Sequence, residues 1–170
     1  RRAVATQAVP AAQAAGLHDF LGQLAASSGQ LEEAQAHFEA ALAACPGLLS
    51  PTRALIDLLQ PSGEYERIDQ LIEQALAEHA HLEPGERAEL LRRQAEARQA
   101  QGRAREAYQA LLAAEELAPG DIAQQVWLGD SAYELGEYGE AAHRLGSLLT
   151  YASHPEELPA PLTPLRLADA

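Results

Sequence analysis

The stretch that decides the fold is residues 16–47, GLHDFLGQLAASSGQLEEAQAHFEAALAACPG, which places a segment of helical period on each side of Gly29. Apolar and small residues recur every three or four positions in both segments, as in amphipathic helices. Glycine commonly follows a helix because it readily takes a positive φ, and Pro46-Gly47 stops the second segment. The stretch therefore predicts a helical hairpin, with helices near 16–28 and 31–44.

The same arrangement recurs along the chain at a nearly constant period. Gly29 is followed by Gly63, Gly102 and Gly136, at spacings of 34, 39 and 34 residues. A period in the thirties is typical of stacked helical hairpins. We expect the further helices near residues 51–59, 64–79, 86–101, 104–117, 121–135 and 138–150.

These boundaries define the expected organisation of the chain. Residues 1–14 form an N-terminal arm or the tail of a preceding helix, and residues 15–153 form the array. The Pro-rich tail, 154–170, caps the array or begins a partial fifth unit. The four units of the array are expected at 15–48, 49–87, 88–121 and 122–153.

Composition restricts the class of protein. The chain of 170 residues is 47% hydrophobic, which excludes wholesale disorder, and β-branched residues are scarce, so an all-α fold is expected. The net charge of −13 argues against nucleic acid as a partner, and no apolar run is long enough to insert into a membrane. Every cation is Arg, which suggests a bacterial coding sequence. The compartment stays open between the cytoplasm, slightly favoured, and the periplasm.

The residues of the hairpins carry a resemblance to a known family. The first unit has Leu21-Gly22, Ala34-x-x-x-Phe38, Ala41 and Pro46. This pattern resembles the tetratricopeptide repeat (TPR), with its Leu-Gly pair, Ala-x-x-x-aromatic run and closing Pro. The other units carry parts of the same pattern, namely Leu128-Gly129, Tyr138, Ala141 and Leu145 in the fourth, and Ala95, Ala107, Leu111, Ala114 and Pro119 in the third.

The resemblance implies a right-handed superhelix of about four hairpins, in which small residues let the two helices of a hairpin pack closely. Gly22, Ala95 and Gly129 are the expected small residues on the first helices. The second unit departs from the pattern, because Ile56 replaces the small residue and Ile68 and Ile72 take the Ala and aromatic places. We expect that hairpin to be splayed. The third unit departs as well, because Gln94 and Arg98 stand where Leu and an aromatic residue are usual, which argues against close packing of that hairpin.

The resemblance also implies where a partner binds. In TPR stacks the first helix of each hairpin lines a concave groove that receives an extended peptide or a partner helix. Arg side chains can bind a carboxylate with two hydrogen bonds, so an acidic or C-terminal segment is the expected ligand. The groove residues expected from the repeat register are Phe20, Gln23, Arg53, Asp57, Arg92, Arg93, Glu96, Gln99, Trp127, Asp130 and Tyr133.

Alternatives remain open for several of these residues. Arg53 with Asp57, and Arg92 with Glu96, are four apart and can form intrahelical ion pairs. Trp127 can instead be interior packing. One TPR subset clamps the terminal carboxylate of chaperone tails, but of the corresponding residues Asp19, Gln23, Ala54, Glu89 and Arg93 only Arg93 agrees, so this chain is not expected to be of that type.

The expected function is therefore a non-catalytic scaffold or adaptor that docks a protein segment, as part of a larger bacterial protein. The alternative is a structural spacer or self-association module without a peptide ligand. No catalytic motif is present, so we expect no enzyme, no cofactor and no metal site. Of the six His residues, His79 and His81 are two apart and would diverge on a helix. Cys45 is the only cysteine and cannot form an internal disulfide.

Overall fold

The computed structural model describes residues 10–78 and 82–151, and these form eight α-helices without a strand. Seven helices lie within two residues of the expected bounds. The exception is α1, which begins at Ala11, so that residues 11–14 belong to this helix rather than to an arm. The tail assigned to residues 154–170 lies outside the described residues. The helices are α1 (Ala11–Ser27), α2 (Leu31–Ala44), α3 (Leu49–Leu59), α4 (Tyr65–Glu78), α5 (Pro84–Ala100), α6 (Ala104–Leu117), α7 (Ile122–Glu134) and α8 (Tyr138–Tyr151).

The chain divides into two compact units, unit 1 (Arg1–His81) and unit 2 (Leu82–Ala170). Unit 1 holds the hairpins α1–α2 and α3–α4, and unit 2 holds α5–α6 and α7–α8. Within the described ranges, no helix is both long enough and apolar enough to cross a membrane.

The four periodic glycines end the first helix of each hairpin in the same conformation. Gly29, Gly63, Gly102 and Gly136 have φ values of 77°, 76°, 75° and 78°. At the first of them, the Gly29 N–H donates to the Ala26 carbonyl at 3.0 Å and the next N–H donates to the Ala25 carbonyl at 2.9 Å. This is the Schellman arrangement, which satisfies carbonyls at the end of a helix and favours glycine. The expected end of each first helix at a glycine with positive φ is confirmed.

Two further glycines let the helices of their hairpins approach closely. A Cβ on Gly22 would lie 2.6 Å from Cε1 of Phe38, and one on Gly129 would lie 2.6 Å from Cδ2 of Leu145. Phe38 is 1% exposed and Leu145 is 2% exposed. The large side chain of one helix therefore occupies the space left by the glycine of the other, as the resemblance implies.

The second hairpin lacks such a glycine. Ile56, Ile68 and Ile72 are all buried, and the backbones of α3 and α4 come close over a smaller part of their lengths than those of α1 and α2. This smaller region of close approach agrees with the expectation that branched side chains on both helices splay this hairpin. The α5–α6 hairpin is closely packed despite Gln94, because its interface is built largely of alanines and Leu111.

Candidate functional site

The residues expected to line a groove lie on the first helices of the hairpins, in both units. In unit 1, Phe20 and Gln23 belong to α1, and Arg53 and Asp57 belong to α3. In unit 2, α5 carries Arg92, Arg93, Glu96 and Gln99, whereas α7 carries Trp127, Asp130 and Tyr133. Each unit therefore has its own set of candidate residues, on two helices.

In unit 2, a buried amide connects Arg92 to the body of the fold. The Arg92 Nη1 atom donates to Oε1 of Gln124 on α7 at 3.1 Å. Gln124 is 3% exposed, and its Nε2 donates to the Leu111 carbonyl of α6 at 3.1 Å. Because a buried amide with both ends bonded has little rotational freedom, Gln124 fixes the position of the guanidinium.

Trp127 forms a second link between α5 and α7. Its Nε1 donates to Oε1 of Gln99 at 2.8 Å, and Gln99 donates weakly to Glu134 at 3.5 Å. The indole is partly buried and packs against a cluster in unit 2 made of Ala95, Ala107, Ala110, Leu111 and Leu128. Interior packing therefore accounts for part of Trp127, and the remaining part of the ring is accessible beside its hydrogen bond to Gln99.

The rest of the α7 surface is aromatic and acidic. The ring of Tyr133 meets that of Tyr138 edge to face, with centroids 5.3 Å apart. Tyr133 and Asp130 are half-buried, and on α5 Arg93 is half-buried and Glu96 is exposed.

We name the surface formed by Arg92, Gln99, Gln124 and Trp127 the α5–α7 seam.

In unit 1, hydrogen bonds among Asp19, Gln23 and Ser50 form a corresponding seam between α1 and α3. Gln23 Nε2 donates to Oδ2 of Asp19 at 3.3 Å and to Oγ of Ser50 at 3.2 Å. The Ser50 hydroxyl donates to the other oxygen of Asp19 at 3.0 Å. A carboxylate thus links α1 to α3, where a guanidinium links α5 to α7. Arg53 is half-buried, Asp57 is exposed, and Phe20 is 63% exposed.

The charge of α5 distinguishes it from the other helices. It carries four Arg and three Glu, which gives a net charge of +1, whereas the remaining seven described helices are neutral or negative by the same count of Asp, Glu and Arg. In a chain of net charge −13, α5 is therefore the helical surface best suited to a carboxylate.

Sequence reasoning missed two residues that form hydrogen bonds at these sites, Gln124 and Ser50. Gln124 and Ser50 are polar residues at the starts of α7 and α3, and neither belongs to the expected groove set. One sequence signal points to Gln124. It stands twelve residues before Gly136, and the residue twelve before Gly63 in the second unit is Pro51, which is buried. A polar residue at a position that faces the preceding hairpin needs a hydrogen-bond partner there.

A concavity of about 430 Å³ also lies in unit 2, away from the expected residues. It is lined by Gly120, Ile122, Gln125, Ser147 and Leu148. Ile122 is 53% exposed. Because the described residues of this lining include no charged side chain, they do not offer the carboxylate-binding chemistry expected of the groove.

The comparisons with known proteins identify the fold. No protein-family model matches the chain, and no curated protein matches it. Among solved structures, MamA (from residue 41 to its end) of Desulfovibrio magneticus RS-1 is 17% identical, with a TM-score of 0.64, and covers 80% of this chain and 74% of its own. YrrB, described as a TPR protein with an unusual peptide-binding site, is 18% identical, with a TM-score of 0.64, and covers 76% of this chain and 64% of its own.

A third similar structure holds a ligand. It is the first TPR domain of Spaghetti (RPAP3) bound to the HSP90 peptide SRMEEVD, at 17% identity and a TM-score of 0.61, covering 74% of this chain and 95% of that one. At these identities the likeness defines the fold. The chain therefore has the all-α tetratricopeptide-repeat fold, and the resemblance found in its sequence is confirmed.

Proposed function

We propose that this protein is a non-catalytic interaction scaffold, and that unit 2 docks an extended acidic segment of a partner protein along the α5–α7 seam. The observation that carries the proposal is the fixed guanidinium of Arg92, held by a buried Gln124 beside the partly accessible ring of Trp127. Two of the similar structures are described as peptide-binding or peptide-bound TPR proteins, which supports a peptide as the ligand.

The chemistry of the seam favours an acidic residue next to an apolar one. A guanidinium has five N–H donors in a planar fork and binds a carboxylate with two parallel hydrogen bonds. The Trp127 N–H is already given to Gln99, so its ring offers apolar area rather than a donor. Pre-positioned side chains lose little entropy on binding, which favours affinity from a small surface.

The experiment uses the single Trp of the chain as an internal reporter. The full chain is screened against an array of extended peptides graded from acidic to basic, and hits are confirmed by Trp127 fluorescence and by calorimetry. We expect acidic peptides with apolar neighbours to bind, and binding to weaken as salt is added. Removal of Arg92 in Arg92→Ala should lower the affinity by about tenfold or more, because it removes hydrogen bonds to a charged group.

Matched variants separate the seam from general charge. Arg105→Ala removes an exposed Arg of α6 in the same unit and should leave the affinity unchanged. Trp127→Ala, followed by calorimetry, should cost about 2 kcal/mol or more, as for a central aromatic contact. Arg93→Ala tests the neighbouring guanidinium. If Arg92→Ala binds every hit as the wild type does, the seam is not the docking site, even where Arg93→Ala weakens binding.

A second candidate function, self-association, is favoured by an apolar stripe on α1. Leu17, Phe20 and Leu24 are 58%, 63% and 55% exposed and lie on one face of the helix. Counted back from the glycine that ends each first helix, the three α1 residues correspond in α7 to Gln124, Trp127 and Ser131. Gln124 donates to a carbonyl of α6, and Trp127 packs against the cluster that includes α6 residues. The face of α1 that carries the stripe thus corresponds to the face of α7 that packs against α6.

A second copy of the chain is the occupant this candidate proposes, because α1 carries a single charged residue, Asp19, in an otherwise strongly acidic protein. Sedimentation velocity over a range of concentrations tests it. We expect association that is weakened about tenfold or more by Leu17→Gln or Leu24→Gln, since both bury apolar area in the contact. Leu31→Gln, at an equally exposed Leu outside the stripe, is the control. A chain that stays monomeric at all concentrations excludes this candidate.

A further inference from the structure

Beyond Gln99, the α5–α7 seam ends at a carboxylate that the proposed docking does not use. At one end of the seam, Arg92 of α5 donates to Gln124 near the start of α7. At the other end, Nε2 of Gln99 lies 3.5 Å from Oε2 of Glu134, the last residue of α7. Since the two contacts follow the same chain order on both helices, a guanidinium and a carboxylate stand at opposite ends of one surface.

The hydrogen bond of Trp127 fixes the amide of Gln99 in one orientation. An indole N–H can only donate, so the 2.8 Å bond from Trp127 makes Oε1 of Gln99 the acceptor. The amide nitrogen of Gln99 then faces Glu134. Because 3.5 Å is long for a hydrogen bond, and because a carboxylate has about four acceptor sites, Glu134 keeps most of its accepting capacity for a ligand.

No cation balances Glu134 in the described part of the chain. Glu134 is exposed, and no Arg or His among the described residues pairs with it. Within residues 122–134 the charged residues are Asp130 and Glu134 alone, four apart and therefore on one face of α7. The carboxyl end of a helix adds partial negative charge. This end of the seam therefore favours a cationic group of a ligand and disfavours a second carboxylate.

The length of the seam sets the spacing between the charged groups of a ligand. Arg92 and Gln99 are seven residues apart on α5, and Gln124 and Glu134 are ten apart on α7. At a rise of 1.5 Å per residue these spans are about 10 and 15 Å. An extended segment rises about 3.3 Å per residue and presents every second side chain on one face. A spacing of four residues, about 13 Å, meets both conditions.

We propose that the segment docked on the seam carries a basic residue four positions from its acidic residue, in either chain direction, and that Glu134 selects the basic residue. The side chain midway between them is on the same face and lies over the ring of Trp127, where an apolar residue fits. This inference rests on the docking proposed above and adds a charge pattern to the ligand. It also makes Glu134, which is outside the groove set expected from the sequence, a specificity-determining residue.

The test compares capped peptides with the full chain at low salt, by Trp127 fluorescence and calorimetry. The reference peptide is Ser-Glu-Thr-Leu-Thr-Lys-Ser, made in both chain orders, and the order that binds more tightly is used. We expect it to bind about two- to fivefold more tightly than the peptide with Gln in place of Lys, the usual strength of an exposed ion pair. Replacing Lys with Glu, or moving Lys to a spacing of three, should bring no gain over Gln.

Matched variants assign the preference to one carboxylate. Glu134→Gln should abolish the preference for Lys over Gln and leave the affinity for the Gln peptide unchanged. Glu116→Gln removes an exposed carboxylate of α6 in the same unit and should keep the preference. Thermal unfolding confirms that each variant folds, and the peptide comparison itself needs only the wild-type chain.

The outcomes separate this inference from the docking on which it rests. If the wild type binds the Lys and Gln peptides equally, or if the preference survives in Glu134→Gln, the charge pattern is wrong. Docking on the seam then still stands where Arg92→Ala weakens binding. If Arg92→Ala binds every peptide as the wild type does, the docking and the charge pattern both fail.

Discussion

Replacing Phe38 with alanine should lower the free energy of unfolding by about 3–5 kcal/mol, the usual cost of truncating a buried aromatic side chain. Phe38 is 1% exposed and belongs to a cluster with Ala25, Ala34 and Leu55. Its ring also occupies the space beside Gly22. Chemical denaturation followed by far-UV circular dichroism measures the change.

The same contact predicts a reversal of sign in a double-mutant cycle. Gly22→Ala alone should destabilise by about 1–3 kcal/mol, because its Cβ overlaps the Phe38 ring. In the Phe38→Ala background the overlap is absent, and Gly22→Ala should stabilise by roughly 0.5–1 kcal/mol through helix propensity. Gly16→Ala, in the same helix with no atom of the described residues within 4 Å of the added Cβ, should stabilise in both backgrounds. Equal destabilisation by Gly22→Ala in both backgrounds would contradict the close approach of α1 and α2.

This contact also shows why the fold is readable from the sequence. A glycine within α1, opposite a Phe within α2, is explained only if the two helices meet there. The glycine at position 29 is explained only if a helix ends there. Both constraints are local and repeat along the chain, so helix number, order and bounds follow from them. The start of α1 does not, since residues 11–14 are Ala-rich and carry no cap or amphipathic pattern.

The candidate site is less readable because it depends on side chains from different helices. The register places Arg92 on α5 and Trp127 on α7, but it does not state that Gln124 holds the first or that Gln99 holds the second. Those bonds depend on rotamers and on how two helices are staggered. The hydrogen bond that joins His18 of α1 to His37 of α2 is hidden for the same reason, since a period describes faces of helices and not distances between atoms.

Both units use an arginine to connect the second helices of their hairpins. In unit 1, Arg67 of α4 pairs with Glu39 of α2 and with Glu64. The hydrogen bond from Gln35 lowers the pKa of Glu39 against the effect of partial burial, and the Arg67 guanidinium lowers it further.

In unit 2, Arg144 of α8 bonds Glu115 of α6 at 2.9 Å and Glu140 at 2.6 Å. Partial burial alone would lower the pKa of Arg144, but the bonds to Glu115 and Glu140 outweigh it and raise that pKa. The two arginines differ mainly in exposure. The side chains of Arg144 and Glu115 are 14% and 25% exposed, whereas those of Arg67 and Glu39 are 38% and 43% exposed.

This difference predicts unequal costs for the same substitution. Arg144→Met should lower the free energy of unfolding by about 2–3 kcal/mol, between the cost of breaking a fully buried pair and that of a surface pair. Arg67→Met is the matched control and should cost about 1 kcal/mol or less. Urea titrations at low and high salt measure both, and added salt should reduce the cost of Arg67→Met more, because exposed charges are screened better. Equal costs for the two variants would show that burial does not set the strength of these pairs.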